Sequence, residues 1–174
     1  DKASVAVNPE DRVELKVKPR FVSRGGLKLE GALLTFGLDV EGFTCLDAGA
    51  STGGFTDCLL QAGAAKVYAF DVGTNQLVWK IRNDPRVVAR EQFNLRHLDP
   101  SDVPETIDLA VFDVSFISLT LVLPALTACT GPGGRMLLMV KPQFEVGRER
   151  LGSGGVVRDP ALRIEAVSTI AEHA

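Results

Sequence analysis

Residues 46–55 read LDAGASTGGF; they follow a short apolar run and precede a segment with helical periodicity. A strand, a glycine-rich turn and a helix in this order bring a ligand close to the backbone at a helix N-terminus. The glycines at positions 49, 53 and 54 do not meet the dinucleotide-binding spacing G-x-G-x-x-G. The stretch therefore predicts a ligand loop in an α/β fold, for a ligand other than a dinucleotide.

Strand and helix patterns alternate along the rest of the sequence. Apolar runs predict strands at 44–46, 66–70, 86–89, 107–112 and 135–140. Stripes at helical spacing predict helices at 29–36, 55–62, 76–82, 119–130 and 160–174. This alternation is typical of a Rossmann-like α/β fold, in which helices cover both faces of a mostly parallel sheet. The last helical pattern runs to the end of the sequence, so we expect the last strands to be missing from this chain.

Three finer expectations concern single segments. The alternation of Val13, Leu15 and Val17 predicts an edge strand or the remnant of a preceding module. Pro124 predicts a bend in the fourth helix. The sequence GPGG at 131–134 predicts a turn.

The composition argues against several functional classes. A net charge of −3 gives no overall basic field, so any nucleic-acid contact has to come from local patches. The three cysteines form no C-x-x-C pair and the two histidines do not cluster, which argues against a metal site. The uncharged stretch 114–134 contains serines, threonines, a proline and a glycine turn, and is not predicted to span a membrane. We expect a cytoplasmic protein with no stable membrane association.

Two acidic residues indicate which ligand the loop binds. Asp47, two residues before Gly49, can attract an ammonium group and would repel a pyrophosphate. This suits the methionine part of S-adenosylmethionine. Asp71 lies at the end of the next predicted strand, where a carboxylate can accept both ribose hydroxyls of a nucleoside. Together the two carboxylates favour S-adenosylmethionine as the cofactor.

A further position concerns the adenine base of such a cofactor. Asn94 follows the third strand, where this fold commonly meets the base, with Phe93 and Val72 as apolar walls; Asn94 could equally be a turn residue. The loop itself could be a tight turn with a helix cap at Ser51 or Thr52. The predicted cofactor-binding residues are Asp47, Gly49, Ala50, Ser51, Gly53, Gly54, Phe55, Asp71, Val72, Asn94 and Asp113.

Four longer motifs resemble one family. They are FVSRGGLKL at 21–29, FDVSFIS at 112–118, VKPQFE at 140–145 and GGVVRDP at 154–160. In this order they resemble the TlyA, or hemolysin-like, ribosomal RNA methyltransferases, and the chain is more distantly similar to the FtsJ-type RNA ribose methyltransferases. The resemblance implies a class I methyltransferase fold and 2′-O-methylation of ribose in ribosomal RNA. The ribosomal subunit is then the expected partner, and no obligate protein partner is inferred.

The resemblance also implies a domain organisation. Residues 21–174 are similar to an FtsJ-like methyltransferase domain that is incomplete at its C-terminal end. Residues 1–20 resemble only the tail and linker of an S4-like RNA-binding module, which members of the family usually carry before the methyltransferase domain.

A catalytic Lys-Asp-Lys-Glu tetrad follows from the same resemblance. By motif, Lys28 matches the first lysine, Asp113 the aspartate and Lys141 the second lysine. The glutamate of the family belongs to a later segment that this chain lacks, and Glu145 does not match it by position. A ribose hydroxyl is a weak acid, so it needs a positioned base or a charged network. Lys141 is the favoured base, because a partly desolvated lysine beside another cation gives up its proton more easily.

Each of these three residues also has an ordinary structural interpretation. Lys28 could belong to a solvated helix face, Asp113 could be a helix N-cap, and Lys141 could be a charge that follows a strand. Their convergence on the sheet edge that holds the cofactor loop is what favours catalysis.

Local basic stretches are the expected RNA contacts. They comprise Lys16, Lys18, Arg20, Arg24 and Lys28 near the start, and Arg148, Arg150, Arg158 and Arg163 around a glycine-rich loop at 152–155. Such side chains can hold phosphates, although any single arginine could equally belong to a solvated surface.

Other methylation reactions and other functional classes are alternatives to this interpretation. Methylation of an exocyclic amine is disfavoured because DVSF at 113–116 lacks both prolines of the corresponding motif, and carbon-5 methylation because no cysteine follows a proline. A membrane-active cytolysin, which the family's historical name suggests, and a non-catalytic RNA-binding or ligand-sensing domain are the alternatives from other classes.

Overall fold

The computed structural model describes residues 8–12 and 19–174, and the edge strand predicted at 13–17 lies outside them. The helices are α1 (Arg24–Phe36), α2 (Gly54–Gln61), α3 (Trp79–Arg82), α4 (Leu123–Cys129) and α5 (Pro160–His173). The strands are β1 (Thr44–Ala48), β2 (Lys66–Phe70), β3 (Val87–Arg90), β4 (Ile107–Phe112) and β5 (Thr130–Leu138).

The five strands form one parallel sheet in the order β3-β2-β1-β4-β5. The chain moves outward from β1 to β2 and β3, and then returns to the other side of β1 with β4 and β5. Such a reversal opens a crevice at the carboxyl ends of the two strands that flank it. The predicted α/β architecture with a parallel sheet is confirmed.

Alternate residues of the strands face opposite layers of helices. Cys45 and Val67 belong to one buried cluster, together with Leu29, Leu59 and Ile81 from α1, α2 and α3. The intervening strand residues belong to a second buried cluster with side chains of α4 and α5. Helices therefore cover both faces of the sheet, as the sequence predicts.

Two glycines, Gly26 and Gly54, let the first turn of α1 pack closely against α2 and against the Phe21 ring. Ser23 caps α1, and its Oγ accepts a hydrogen bond from the N–H of Gly25 at 3.2 Å. A Cβ on Gly54, the first residue of α2, would lie 2.1 Å from that Oγ. A Cβ on Gly26 would lie 2.3 Å from the side chain of Phe21. Without side chains at these positions, α1 rests directly on α2 and on the Phe21 ring.

A buried carboxylate ties the chain that enters α1 to α2. Asp57 is 2% exposed, and its Oδ2 accepts the N–H of Val22 at 2.8 Å. Its Oδ1 accepts a hydrogen bond from Gln61 at 3.0 Å, and the Lys80 ammonium lies 3.7 Å away. The residues just before α1 therefore have a fixed position relative to the sheet.

The third helix is shorter than predicted. The pattern at 76–82 predicts a helix from residue 76, whereas α3 comprises only Trp79–Arg82. The N–H groups at positions 75–77 bond to the carboxylate of Glu91 instead. Val78 is extended, with a φ of −61° and a ψ of 146°, so the helix begins only at Trp79.

The fourth helix is divided and not bent. Residues 119–121 form a separate 3₁₀ turn, and α4 begins at Leu123. Pro124 lies in the first turn of α4, where a proline removes no hydrogen bond. The predicted bend at Pro124 is therefore wrong.

The last strand begins earlier and ends earlier than predicted. The GPGG segment at 131–134 lies within the bounds of β5, but it is unpaired there: Ile107 pairs with Thr130 and Leu109 with Arg135, and Gly133 has a φ of +81°. The predicted turn therefore takes the form of a bulge in the strand. The strand ends at Leu138, so Lys141 lies beyond it in an irregular segment.

None of the helices within the described ranges combines the length and apolar character that crossing a bilayer requires. In the same ranges, no group of three or more histidine, cysteine, aspartate or glutamate side chains is arranged to hold a metal ion. The three cysteines are buried and unpaired.

Candidate active site

A cavity of about 770 Å³ lies at the carboxyl ends of β1, β2 and β4. Its walls come from the start of α1, the loop after β1, the segments that follow β2, β3 and β4, and Lys141. This is the crevice that the reversal of strand order leaves open. Most of the predicted site residues line it: Lys28, Gly49, Ala50, Ser51, Gly54, Phe55, Asp71, Val72, Asn94, Asp113 and Lys141.

The loop after β1 has the backbone conformation that its glycines permit. Gly49 has a φ of +91° and Gly53 a φ of +95°, and Ser51 also lies in the left-handed region with a φ of +49°. A Cβ on Gly49 would lie 3.0 Å from the Val114 side chain and 3.2 Å from the Asp113 carbonyl oxygen. The loop thus passes close to the segment after β4.

Gly53 supports the loop from behind and does not line the cavity. A Cβ on Gly53 would lie 2.9 Å from the Leu77 side chain, on the side of α3. Its predicted role in cofactor binding is therefore limited to the shape of the loop.

Asp71 connects the two loops that form one wall of the cavity. Its Oδ2 accepts the N–H of Ser51 at 2.8 Å, and its Oδ1 accepts the N–H of Gly73 at 2.7 Å. Each carboxylate oxygen can accept a second hydrogen bond. Asp71 can therefore bind a hydroxyl in the cavity while it holds both loops.

Asp47 is buried beneath the loop and does not line the cavity. Thr56 donates a hydrogen bond to its Oδ2 at 2.6 Å, whereas Oδ1 has no partner among the described residues. Burial raises the pKa of Asp47 to about 7, against the opposing effect of the Thr56 hydrogen bond. A direct contact between Asp47 and a ligand ammonium stays a prediction.

Asn94 combines the two interpretations that the sequence left open. Its side-chain oxygen accepts the N–H of Arg96 at 3.1 Å and so caps a short 3₁₀ turn, and Asn94 also lines the cavity. Beside it, the Phe93 ring lies 5.1 Å from the Phe70 ring and 4.6 Å from the Arg90 guanidinium. Phe93 is thereby held as a cavity wall, as predicted.

The three predicted catalytic residues meet in one cluster, which we call the charge cluster. Asp113 shares its carboxylate between two ammonium groups: Oδ1 lies 2.5 Å from Lys141 Nζ, and Oδ2 lies 3.2 Å from Lys28 Nζ. Lys141 Nζ also donates to the carbonyl oxygen of Val114 at 2.8 Å and to Ser115 Oγ at 2.9 Å. The side chain of Lys141 is 19% exposed and that of Lys28 is 51% exposed. Lys141 is thus the more enclosed and more firmly oriented of the two amines.

Glu145 does not belong to the charge cluster, in agreement with the motif comparison. Its Oε1 accepts the N–H of Leu119 at 3.0 Å, and its Oε2 accepts the Ser118 hydroxyl at 2.5 Å. It stabilises the start of the 3₁₀ turn before α4. Among the described residues, no glutamate lines the cavity.

Sequence reasoning did not single out one aromatic pair beside the charge cluster. Phe116 is 92% exposed and has a φ of +66°, which is an unusual backbone conformation for a bulky residue. Its ring lies 5.4 Å from that of Phe144, and Phe116 lines the cavity. The motif FDVSFIS at 112–118 contains Phe116, but only the structure shows its exposure.

The residues of the predicted basic stretches have different environments: some form ion pairs and some line the cavity. Arg20 pairs with Glu30, and Arg150 binds Glu165 through two hydrogen bonds of 2.5 and 2.6 Å. Arg24 lies at the start of α1 and lines the cavity. The remaining members of the first stretch, Lys16 and Lys18, lie outside the described residues.

Comparison with known proteins decides the family. A sequence model described as FtsJ-like methyltransferase matches residues 21–174. The chain belongs to the FtsJ-like methyltransferase family. This confirms the resemblance that the four motifs indicate.

Three comparisons show the range of similarity. The chain is 54% identical over 154 residues to the Mycobacterium tuberculosis protein named 16S/23S rRNA (cytidine-2′-O)-methyltransferase TlyA, which covers 88% of this chain and 58% of that protein. It superimposes on the crystal structure of a candidate hemolysin from Lactococcus lactis with a TM-score of 0.87 and 52% identity, covering 90% of this chain and 76% of the other. An S-adenosylmethionine-dependent methyltransferase from Mesorhizobium loti shares the fold at 19% identity, with a TM-score of 0.54 over 70% of this chain and 57% of that one. The family member described here thus spans 58% of the length of its curated Mycobacterium relative.

Proposed function

We propose that this protein transfers a methyl group from S-adenosylmethionine to a ribose 2′-hydroxyl of ribosomal RNA. The observation that carries the proposal is the charge cluster of Lys28, Asp113 and Lys141, which lines the same cavity as the glycine-rich loop. A methyl donor and a proton acceptor then meet in one enclosed space.

The residues of the cavity fit S-adenosylmethionine. A Cβ on Gly49 would lie 3.2 Å from the Asp113 carbonyl oxygen, so the absence of a side chain lets the loop lie against the segment after β4. Asp71 offers acceptor positions for ribose hydroxyls. Phe93 and Val72 provide apolar surface for the base. When bound, S-adenosylmethionine supplies a methyl group on a positively charged sulfur. Asp71, just after the end of β2, places one carboxylate in the cavity lining that favours a cation there.

The charge cluster suits the removal of a proton from a hydroxyl group. Two lysines share the single carboxylate of Asp113, so two amines are held at fixed positions beside the space that a hydroxyl group would enter. Lys141 Nζ is the group placed to take up the hydroxyl proton while the methyl group would leave the sulfur for the oxygen. Asp113 and Ser115 orient its nitrogen, and Lys28 balances the charge of Asp113. Orientation of this kind supplies much of the rate enhancement.

The surface beside the cluster suits RNA as the substrate. Phe116 presents an exposed ring, and unstacked bases of single-stranded RNA bind to such aromatic side chains. Arg24 adds a positive charge at the rim of the cavity. The name of the Mycobacterium relative supports ribosomal RNA in particular. A substrate of this kind leads us to expect a cytoplasmic location.

The test is to map methylated nucleotides after reaction of the full-length protein with S-adenosylmethionine and unmodified ribosomal subunits, using mass spectrometry. A ribose methyl group supports the proposal, and a methyl group on a base overturns it. We expect Asp113→Ala and Lys141→Ala each to lower the transfer rate about 10² to 10⁴-fold. Lys66→Ala is the matched control, because Lys66 forms a comparable ion pair with Glu105 at 2.8 Å but does not line the cavity.

The hemolysin name of the Lactococcus relative motivates one rival function, a membrane-active cytolysin. A dye-release assay with liposomes separates the two. We expect no release at concentrations at which the protein methylates ribosomal subunits, and release without methyl transfer would favour the rival.

A further inference from the structure

We propose that Glu91 is a positioning residue for the cofactor, which it serves through the loop at 72–77. The inference rests on the proposed function, since it concerns the same cavity. Glu91 does not line the cavity, and neither the motifs nor the charge cluster involve it.

One carboxylate organises nearly the whole second half of this loop. Glu91 Oε2 accepts the N–H of Asn75 at 2.9 Å, and Oε1 accepts the N–H groups of Gln76 at 2.9 Å and Leu77 at 3.3 Å. The Arg82 guanidinium, from α3, lies 2.7 Å from the same Oε1. Partial desolvation acts to raise the pKa of Glu91, but these hydrogen bonds outweigh it and hold the pKa below its usual range. The carboxylate therefore stays charged at neutral pH.

The loop that Glu91 holds is a wall of the cofactor cavity. Val72 and Gln76 line the cavity, and Val72 is 73% exposed. The first half of the loop is held by Asp71, which accepts the N–H of Gly73. The second half contains Asn75, whose φ of +53° lies in the left-handed region that asparagine adopts more readily than most residues. Glu91 holds this half through the N–H groups at 75–77.

Glu91 also acts on the glycine-rich loop from behind. The Leu77 side chain, whose N–H bonds to Glu91, occupies the space beside Gly53. The next residue, Val78, donates its N–H to the carbonyl oxygen of Thr52 at 3.3 Å. The two loops are therefore packed back to back, and Glu91 fixes their common support. None of these contacts reaches the charge cluster, so the effect of Glu91 should fall on cofactor binding.

The experiment compares Glu91→Ala and Glu91→Gln with the unsubstituted full-length protein. Calorimetry gives the Kd of S-adenosylmethionine, and steady-state kinetics with ribosomal subunits separates the KM for cofactor from kcat. We expect Glu91→Ala to raise the Kd about tenfold or more, because the loop must then be ordered on binding. The value of kcat at saturating cofactor should stay within about twofold, since the charge cluster is untouched. Glu91→Gln should recover part of the affinity, because its amide oxygen still accepts hydrogen bonds.

Glu105→Ala is the matched control. Glu105 binds Lys66 at 2.8 Å and the Tyr68 hydroxyl at 3.2 Å, so its loss removes comparable polar contacts at a site that does not line the cavity. We expect it to lower the melting temperature without changing the Kd. If Glu91→Ala does not fold, hydrogen exchange of the amides at 75–77 in Glu91→Gln decides. Faster exchange there, with a raised Kd, supports the proposal.

Two results overturn the inference: an unchanged Kd in both Glu91 variants, or a fall in kcat with no change in Kd. Failure of the unsubstituted protein to bind S-adenosylmethionine is a different outcome, because it overturns the proposed function itself. The two failures are thus distinguished by the behaviour of the unsubstituted protein.

Discussion

Replacement of Gly54 by alanine tests how the contact between α1 and α2 supports the active site. The new Cβ would lie 2.1 Å from Ser23 Oγ, 3.0 Å from the Gly26 nitrogen and 3.2 Å from the Gly25 Cα, whereas ordinary contact begins near 3.4 Å. The Ser23 hydroxyl therefore has to retreat by more than 1 Å, and the backbone of α1 by a few tenths of an ångström. Overpacking of this kind destabilises proteins by about 1–3 kcal/mol.

One part of the stability lost in Gly54→Ala can be measured separately. If Ser23 rotates away, α1 loses the cap that Oγ provides to Gly25, which is worth about 1 kcal/mol. In a Ser23→Ala background that clash is absent, so Gly54→Ala should cost less than it does alone. We expect a coupling free energy of about 1 kcal/mol from the double-mutant cycle, measured by urea denaturation.

An effect on catalysis is expected beside the effect on folding. Lys28 lies on α1, one turn beyond the contact, and a shift of about 1 Å in a catalytic group can lower a rate about 10²-fold. Gly31→Ala is the control, because Gly31 is also helical in α1 but a Cβ there meets nothing within 4 Å. It should stabilise the protein by about 0.5–1 kcal/mol. The reasoning is refuted if Gly54→Ala behaves like Gly31→Ala, or if Ser23→Ala leaves its cost unchanged.

Three further predictions concern the cavity. Gly49→Ala should raise the Kd of S-adenosylmethionine about tenfold or more, because Gly49 has a φ of +91° and its Cβ would meet Val114 at 3.0 Å. Gly133→Ala, with a φ of +81° and no atom within 4 Å, should carry a similar backbone strain without this effect. Asp47 has a folded-state pKa raised to about 7 from 3.8, so the folded protein binds its proton more tightly than the unfolded chain, and stability should fall as pH rises between these values. Thermal melts of Asp47→Asn should show less of this fall. Arg24→Gln should weaken RNA binding and lower the salt slope of log K by about 1, with the cofactor Kd unchanged.

Each of these predictions has a result that contradicts it. Equal cofactor affinity in Gly49→Ala and the unsubstituted protein would show that cofactor binding does not require the close contact between Gly49 and the segment after β4. A difference in melting temperature between Asp47→Asn and the unsubstituted protein that does not vary with pH would show that Asp47 does not titrate in the predicted range. An unaltered salt slope in Arg24→Gln would mean that this guanidinium meets no phosphate.

The strands were the most predictable part of the fold. Strands β2 and β4 have the predicted bounds, 66–70 and 107–112, because apart from Lys66 and Asp108 their residues are apolar and buried on both faces. The helix predicted at 76–82 begins only at Trp79, because Val78 is extended and the N–H groups at 75–77 belong to a loop that bonds to the Glu91 carboxylate, about fifteen residues later in the chain. A periodicity pattern contains no information about such a distant partner.

The candidate site was predictable as a set of residues and less so as a geometry. Motifs identified Lys28, Asp113 and Lys141, and these side chains do meet. Nothing in the sequence indicated that Asp47 would be sealed beneath the loop, since its burial depends on how Thr56 and the sheet enclose it. The left-handed backbone of Phe116 was equally hidden, because bulky residues rarely adopt it.

Lys28 comes from a different kind of element than its two partners, Asp113 and Lys141. Asp113 and Lys141 follow strands of the sheet, whereas Lys28 belongs to the first helix, a few residues after the chain enters the domain. The hydrogen bond from Val22 to Asp57 and the ring of Phe21 beneath α1 clamp the chain just upstream. These contacts lie between the chain before residue 19 and Lys28, so the position of Lys28 relative to Asp113 is set by contacts within the domain.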